Sequence, residues 1–137
     1  MDEPVASFLG NVPIGVLGTQ RPDGAIRQST VYFVADGDTV YISTERGRAK
    51  ARDVERSGRA SLCVVGPSAP FPSVTVEGSA RIVDSGIAPV TARIFARISG
   101  GDPPELAEAD LAAMRRVLIE IDVDHVYGTS YLPEPSK

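Results

Sequence analysis

The first half of the chain consists of short β-rich runs separated by strong turn signals, and this pattern constrains the fold more than any other feature. Residues 14–20 and 25–35 flank an Arg-Pro-Asp-Gly turn at 21–24, an arrangement that predicts a β-hairpin. A second turn at 36–38 leads into residues 39–44, where apolar and polar side chains alternate with the two-residue period of a strand. Three consecutive antiparallel strands are therefore expected.

A short helix is expected to interrupt the strands in the middle of the chain. Residues 48–57 lose the alternation and carry helix-forming residues, and Gly58 supplies a helix stop signal. Strand character returns at 60–65. Residues 74–82 then alternate between apolar or small residues on one face and polar residues on the other. That pattern predicts a half-solvated strand.

The C-terminal third predicts two helices and one more strand. Apolar residues at 87–98 follow helical spacing, with Ser85 as a candidate N-cap and a glycine pair at the end. An Asp-Pro-Pro-Glu start predicts a second helix at 102–113. Residues 117–123 alternate as a strand, and His125 is in phase with the apolar face of that strand.

These segments predict a mainly β fold with short helices, built on a six-stranded antiparallel barrel. Strands that follow one another through hairpins favour an antiparallel sheet, and closing the sheet removes its exposed edges. The chain has 137 residues and 42% hydrophobic content, enough for one core without metal or disulfide support. Residues 1–137 are expected to form a single domain, with a loose tail at 132–137.

Composition excludes several classes of function. The net charge of -4 argues against a nucleic-acid partner, which usually requires a basic face. Cys63 is the sole cysteine, so neither an internal disulfide nor a multi-cysteine zinc site is possible, and we expect it to be a small buried hydrophobe. No signal sequence and no apolar run of roughly 20 residues is present. These features predict a cytoplasmic protein without a transmembrane segment or a metal site.

The densest functional signal is the segment 43–52, where a strand ends in hydroxyl residues and a basic helix begins. Free amide groups and the helix dipole favour an anion at a helix N-terminus. Arg48 and Lys50 add donors in the first turn, and Ser43 and Thr44 could complete a phosphate cradle. The Gly-Lys-Ser/Thr pattern of a Walker loop is absent, so a ligand that keeps its phosphate is expected.

The same basic run has a plainer interpretation. Most charge runs solvate the outer face of a helix, and Arg46, Arg52 and Arg56 extend this one beyond the first turn. However, cations at the start of a helix oppose its dipole, so an anionic partner would relieve an unfavourable arrangement. Spacing alone leaves both interpretations open.

Three sequence segments, in the same order along the chain, resemble those of one known family. They are the strand-turn-strand segment 18–30, the strand-helix-strand segment 41–62 with its Gly-Arg-Ala-Lys-Ala-Arg-Asp-Val run, and the His-Val-Tyr-Gly ending at 125–128. Together they resemble the pyridoxamine phosphate oxidase-like split β-barrel flavoproteins, especially the branch that binds the deazaflavin coenzyme F420. The resemblance implies an FMN-binding-like split barrel that forms a homodimer, with two cofactors at the subunit interface.

The resemblance also implies where the cofactor lies. Lys50 corresponds to the family's phosphate-binding lysine, the segment 28–31 runs along the ring system, and Ser73 and Tyr127 approach the cofactor bound mainly by the other subunit. An interface or core role without ligand contact is the alternative for these last two. The implied cofactor-binding residues are Gln28, Ser29, Thr30, Val31, Ser43, Thr44, Arg48, Lys50, Ser73 and Tyr127.

The implied function is an F420-dependent oxidoreductase that transfers a hydride between the deazaflavin and a small unsaturated or conjugated substrate. No catalytic side chain is implied, because the cofactor carries the difficult chemistry. The alternatives are an FMN-dependent oxidase or reductase of the same family, or a protein that binds a cofactor or an apolar ligand without turnover. The chain has no tryptophan and lacks the family's C-terminal substrate residues, so vitamin B6 oxidation is not expected.

Overall fold

The computed structural model describes residues 1–128, which form six strands and four short helices. The predicted tail at 132–137 lies outside the described residues. In chain order the elements are α1 (Glu3–Asn11), β1 (Ile14–Gln20), β2 (Ile26–Asp36), β3 (Thr39–Glu45), α2 (Ala49–Ser57), β4 (Arg59–Val65), β5 (Ser73–Val83), α3 (Ala88–Ser99), α4 (Glu108–Ala113) and β6 (Arg116–Gly128).

The six strands close into an antiparallel barrel with the order β1-β2-β3-β6-β5-β4, which confirms the predicted fold class. Hairpins join β1 to β2, β2 to β3 and β4 to β5. The barrel closes where β1 pairs with β4 and where β6 enters between β3 and β5. The last strand therefore joins parts of the chain that are far apart in sequence.

The core has two parts because the sheet is covered on part of its outer surface. Inward-facing residues such as Leu17, Phe33 and Ile119 fill the barrel and are fully buried. A second cluster lies where α3 and α4 cover the outside of β2 and β6, and it includes Ile94 and Leu118. Alternation along β6 places Leu118 on the outward face, and the helices explain why this leucine is nevertheless buried.

Helix α1, which the strand pattern did not predict, packs against the barrel core. Asp2 caps its first turn by accepting a hydrogen bond from the Val5 amide at 3.3 Å, and Val5 and Leu9 are buried in the barrel cluster. Arg97 on α3 donates to the Leu9 carbonyl at 3.1 Å and to the Phe33 carbonyl at 2.6 Å. This single guanidinium therefore ties α1, β2 and α3 together.

The prediction for the start of α3 and the extent of α4 was wrong in detail. Ser85 makes no cap; the carboxylate of Glu108 instead accepts a hydrogen bond from the Ala88 amide at 2.6 Å. Helix α4 begins only at Glu108, because residues 102–107 are not helical and Leu106 packs against the second cluster. A carboxylate from another element thus satisfies the amide that local sequence assigned to Ser85.

His125 and Cys63 are more exposed than expected. A β-bulge shifts the register between β5 and β6, so that Glu77 pairs with His125 while Gly78 pairs with Val123. The extra residue takes His125 out of phase with the apolar face, and its side chain is exposed. Cys63 lies on the outward face of β4 and is only half-buried.

Gly78 is required at this bulge. A Cβ atom there would lie 1.9 Å from the backbone oxygen of Asp122. The bulge thus depends on the close approach of two backbones.

None of the helices among residues 1–128 is long and apolar enough to cross a membrane.

Candidate functional site

A cleft of about 360 Å³ lies where β2, β3 and the first residue of β6 meet the start of α2 and the side of α3. Its polar floor comes from the strands, its cations from α2 and β6, and its apolar wall from α3. The lining residues are Thr30, Val31, Tyr32, Ser43, Thr44, Glu45, Arg48, Lys50, Ile94, Phe95, Ile98 and Arg116.

The first turn of α2 opens into this cleft without a capping side chain. Arg48 is the N-cap residue, with φ -69° and ψ 149°, and its side chain makes no cap hydrogen bond. The first turn contains no acidic residue, whereas Gly58 terminates the helix in the left-handed conformation. The positive end of the helix dipole therefore lies beside the cleft, and the first turn of the helix has no carboxylate of its own to balance it.

Three cations line the cleft, and none is neutralised within the described part of the chain. Arg48, Lys50 and Arg116 have no carboxylate within 4.0 Å among residues 1–128, although Arg46 and Arg59, both outside the cleft, each have one at 2.8 Å. Burial, followed by the nearby charges of Arg48 and Arg116, lowers the pKa of Lys50 below its usual range. Glu45 also lines the cleft but forms no salt bridge with these cations, so the positive charges of the cleft outnumber the negative one, and an anionic ligand would stabilise them.

Ser43 adds a polar atom that has no partner in residues 1–128. Its Oγ is buried and makes no hydrogen bond there, although buried hydroxyls normally have a partner. Thr44, the next residue, alternates to the inward face of β3 and is 3% exposed. An unsatisfied hydroxyl, an uncapped helix start and three unpaired cations in one cleft fit a phosphate-bearing group.

The apolar wall belongs to α3. The guanidinium of Arg116 lies over the ring of Phe95 at 5.9 Å from the ring centre, and Ile94 and Ile98 flank that ring on the same helix. Sequence reasoning missed Arg116 and Phe95 as site residues. Arg116 reaches the cleft because it pairs with Glu45 in the ladder between β3 and β6, a non-local contact without a local sequence signal.

Six of the ten predicted site residues line the cleft. They are Thr30, Val31, Ser43, Thr44, Arg48 and Lys50. Gln28 and Ser29 lie farther along β2, where Gln28 is exposed and pairs with Gly18. Ser73 and Tyr127 are not near these residues, because Ser73 begins β5 and Tyr127 lies near the end of β6, where its partner is Thr75.

Tyr127 belongs to an outward-facing row that crosses five strands. In that row Thr30 pairs with Val16, Val16 with Cys63, Cys63 with Thr75, and Thr75 with Tyr127. Val16 is 37% exposed and Tyr127 is 52% exposed, and their apolar neighbours Ile14 and Val65 are also exposed. This surface, which we call the outer row face, connects the rim of the cleft to Tyr127 across about 19 Å of sheet.

Comparisons with known proteins place the fold in a family. The family model described as pyridoxamine 5'-phosphate oxidase matches residues 1–130. A search of curated proteins finds no match. Among solved structures, the conserved hypothetical protein Rv2991 from Mycobacterium tuberculosis is 23% identical, with a TM-score of 0.81 over 100% of this chain and 92% of that one.

Two further solved structures show that the fold is shared by proteins with different names. A protein named F420 reductase is 24% identical, with a TM-score of 0.74 over 93% of this chain and 98% of its own. HutZ, a heme storage protein from Vibrio cholerae, is 16% identical, with a TM-score of 0.69 over 90% of each chain. At these identities the likeness concerns the fold alone.

Proposed function

Because the chain belongs to the pyridoxamine 5'-phosphate oxidase family, we propose that it binds coenzyme F420 in the cleft at the start of α2. We propose that it acts as an oxidoreductase, transferring a hydride between the deazaflavin and a small unsaturated or conjugated organic molecule. The single observation that carries the proposal is the set of three unpaired cations beside an uncapped helix start. The structural likeness to a protein named F420 reductase supports the choice of cofactor.

The residues of the cleft would divide the work of binding. Lys50, Arg48 and Arg116 would hold the phosphate, and the Oγ of Ser43 would gain the hydrogen-bond partner that residues 1–128 do not supply. The side chains of α3, with Phe95 at their centre, would keep water from that phosphate and strengthen its contacts with the cations.

The bound deazaflavin supplies the hydride chemistry, so the protein's task is to bind, orient and shield it. Strand β2 would lie along the ring, with residues 28–31 as the contact segment. Thr30 and Val31 line the cleft, whereas Gln28 and Ser29 extend the same strand beyond it. A cofactor that starts at Lys50 and continues along β2 would therefore use all six cleft residues predicted from sequence. It would also reach Ser29 and Gln28, which lie beyond the cleft on the same strand.

A homodimer would complete the site in this proposal. The outer row face exposes Ile14, Val16 and Val65, and a second copy of the chain would bury them. Ser73 and Tyr127 would then serve the cofactor bound mainly by the other subunit. The small-molecule substrate would approach the ring at the same interface.

Two other functions compete with this one. FMN carries a phosphate and would suit the same cations, which would make the protein an FMN-dependent oxidase or reductase. Binding without turnover is the second candidate, and it is favoured by the fold shared with HutZ, a protein named for heme storage. These functions differ in the cofactor bound and in whether the bound cofactor is oxidised by an acceptor.

A reconstitution experiment separates the three. Purified protein is titrated with F420, FMN and heme, and each reduced complex is then mixed with a panel of conjugated acceptors. We expect binding of F420 and its acceptor-dependent oxidation. Tight binding of FMN alone, with oxidation of its reduced complex by an acceptor, would establish an FMN-dependent oxidase or reductase. Binding of any ligand without oxidation across the panel would favour storage or transport, and a folded protein that binds none would refute the cofactor assignment.

A further inference from the structure

A buried carboxylate links the cationic end of α2 to the strand proposed to carry the cofactor ring. The side chain of Asp53 is 2% exposed and lies in the middle of α2. Its Oδ2 accepts a hydrogen bond from Thr19 Oγ1 at 2.9 Å and one from Arg27 Nε at 2.8 Å. Arg56, one turn later on the same helix, approaches the other oxygen at 3.4 Å.

The two strand residues that hold Asp53 are direct neighbours in the sheet. Thr19 on β1 pairs with Arg27 on β2, so the carboxylate is fixed at one rung of the hairpin. Arg27 immediately precedes the segment 28–31, while Lys50 lies three residues, or about one turn, before Asp53 on α2. Asp53 therefore ties α2, whose Ala51 and Val54 are also buried, to the hairpin that contains β2.

Helix α2 needs such an external tie because its own sequence is poorly suited to that position. Arg48, Lys50 and Arg52 place positive charge at the positive end of the dipole, and no side chain caps the first turn. Burial alone would raise the pKa of Asp53, but the hydrogen bonds from Arg27 and Thr19 lower it, so the carboxylate stays charged at neutral pH.

We propose that Asp53 is a positioning residue that holds the cations at the start of α2 in register with strand β2, so that a ligand which spans both is bound in one geometry. The inference rests on the proposed function, because only such a ligand requires the register. A ligand that contacts the cations alone does not depend on it.

The loss of the Asp53 charge and the loss of its positioning contacts predict opposite effects of Asp53→Asn on the affinity for the cofactor. Removal of a negative charge near an anion site would tighten binding of every anion, by about two- to threefold at moderate salt. Loss of register would weaken only a ligand that reaches both α2 and β2. Loosening of the whole helix would weaken all anions alike. Two probes, coenzyme F420 and inorganic phosphate, therefore separate the three effects.

The experiment measures both probes on wild type, Asp53→Asn, Thr19→Val and the control Asp23→Asn, which removes an exposed carboxylate in the β1–β2 turn. Thr19→Val keeps the Asp53 charge and removes one donor. We expect Asp53→Asn to bind the cofactor about tenfold more weakly, which corresponds to about 1.4 kcal/mol, with phosphate unchanged or slightly tighter. Thr19→Val should lose less affinity for the cofactor than Asp53→Asn does and should bind phosphate as wild type does. The control Asp23→Asn should lose affinity for neither probe.

Other outcomes overturn the inference. Equal weakening of both probes would assign Asp53 to helix stability, and tightening of both would leave only its charge. Wild type that binds neither F420 nor FMN refutes the proposed function instead. Register is then measured by the backbone amide shifts that phosphate induces at 26–29, which lie outside the cleft lining. These shifts should be present in wild type and lost in Asp53→Asn or, if that variant does not fold, in Thr19→Val. Their absence in wild type would overturn the inference.

Discussion

Lys50 should contribute far more to anion binding than its neighbour Arg52, although both are cations on α2 without a carboxylate partner in residues 1–128. Only Lys50 lines the cleft; Arg52 is exposed. The matched pair Lys50→Met and Arg52→Met removes the same charge from the same helix, two residues apart. Any difference between them therefore measures direct contact rather than net charge.

The structure supports an estimate of the difference. A hydrogen bond that involves a charged group contributes roughly 1.5–3 kcal/mol, and a loss of about 2 kcal/mol raises Kd by roughly 30-fold. An exposed charge beyond contact distance is screened over about 8 Å at physiological ionic strength, so Arg52→Met should cost less than about threefold. The stability of the free protein should not fall in Lys50→Met, although its anion binding weakens. Burial and the charges of Arg48 and Arg116 disfavour protonated Lys50, so Lys50→Met should unfold at a temperature no lower than wild type.

Equilibrium titration with phosphate and with F420, at fixed ionic strength and pH, measures the two affinities, and calorimetry measures the unfolding temperature. An equal loss in both variants would show that only the general field of α2 acts on the anion. Unchanged binding by a folded Lys50→Met protein would remove the central residue of the proposed site.

Phosphate binding should weaken as the pH rises through the pKa of Lys50, which burial lowers below the ordinary lysine value of 10.5, and titrations up to that pH should show that Lys50→Arg abolishes this loss. Arg116→Met should weaken phosphate binding by about tenfold in the same assay, because one unpaired cation leaves the cleft. Gly78→Ala should destabilise the protein by about 3 kcal/mol in urea unfolding, because its Cβ would clash with the backbone of Asp122.

The fold could be predicted largely because its signals are local. Alternation and turn residues located all six strands to within a few positions, and antiparallel hairpins then favoured a barrel. The bulge opposite Gly78 could not be found in this way, because it depends on how close β6 comes to β5. Helix α1 had a usable signal, Asp2 followed by Pro4 in the first turn, which strand-based reasoning did not use.

The residues of the candidate site also fall into those that local sequence could predict and those that only non-local contacts bring to the cleft. Ser43 to Lys50 is one continuous segment, so its hydroxyls and cations could be grouped from sequence alone. Arg116 comes 71 positions after Glu45, its partner in the ladder, and Phe95 enters from a helix that packs on the outside of the sheet. Neither residue has a local pattern that indicates a ligand, and only the closure of the barrel brings them to the cleft.

The outer row face shows how one site could draw on both ends of the same row. Thr30, at one end, lines the cleft, and Tyr127, at the other, lies four strand spacings away. In a twofold dimer, residue i of one subunit contacts residue j of the other and the reverse. If the twofold axis lies near Cys63, in the middle of the row, Tyr127 of the partner subunit is carried toward Thr30.

A substitution in this row tests whether the second subunit completes the site. Val16→Glu places a charge in the middle of the exposed apolar surface, so we expect a monomer in sedimentation analysis. If the partner's Tyr127 contacts the cofactor, the same variant should bind F420 more weakly while its affinity for phosphate, held by Lys50 within one subunit, stays the same. A monomer with full affinity for both ligands would place Ser73 and Tyr127 outside the site, because their contacts require the partner.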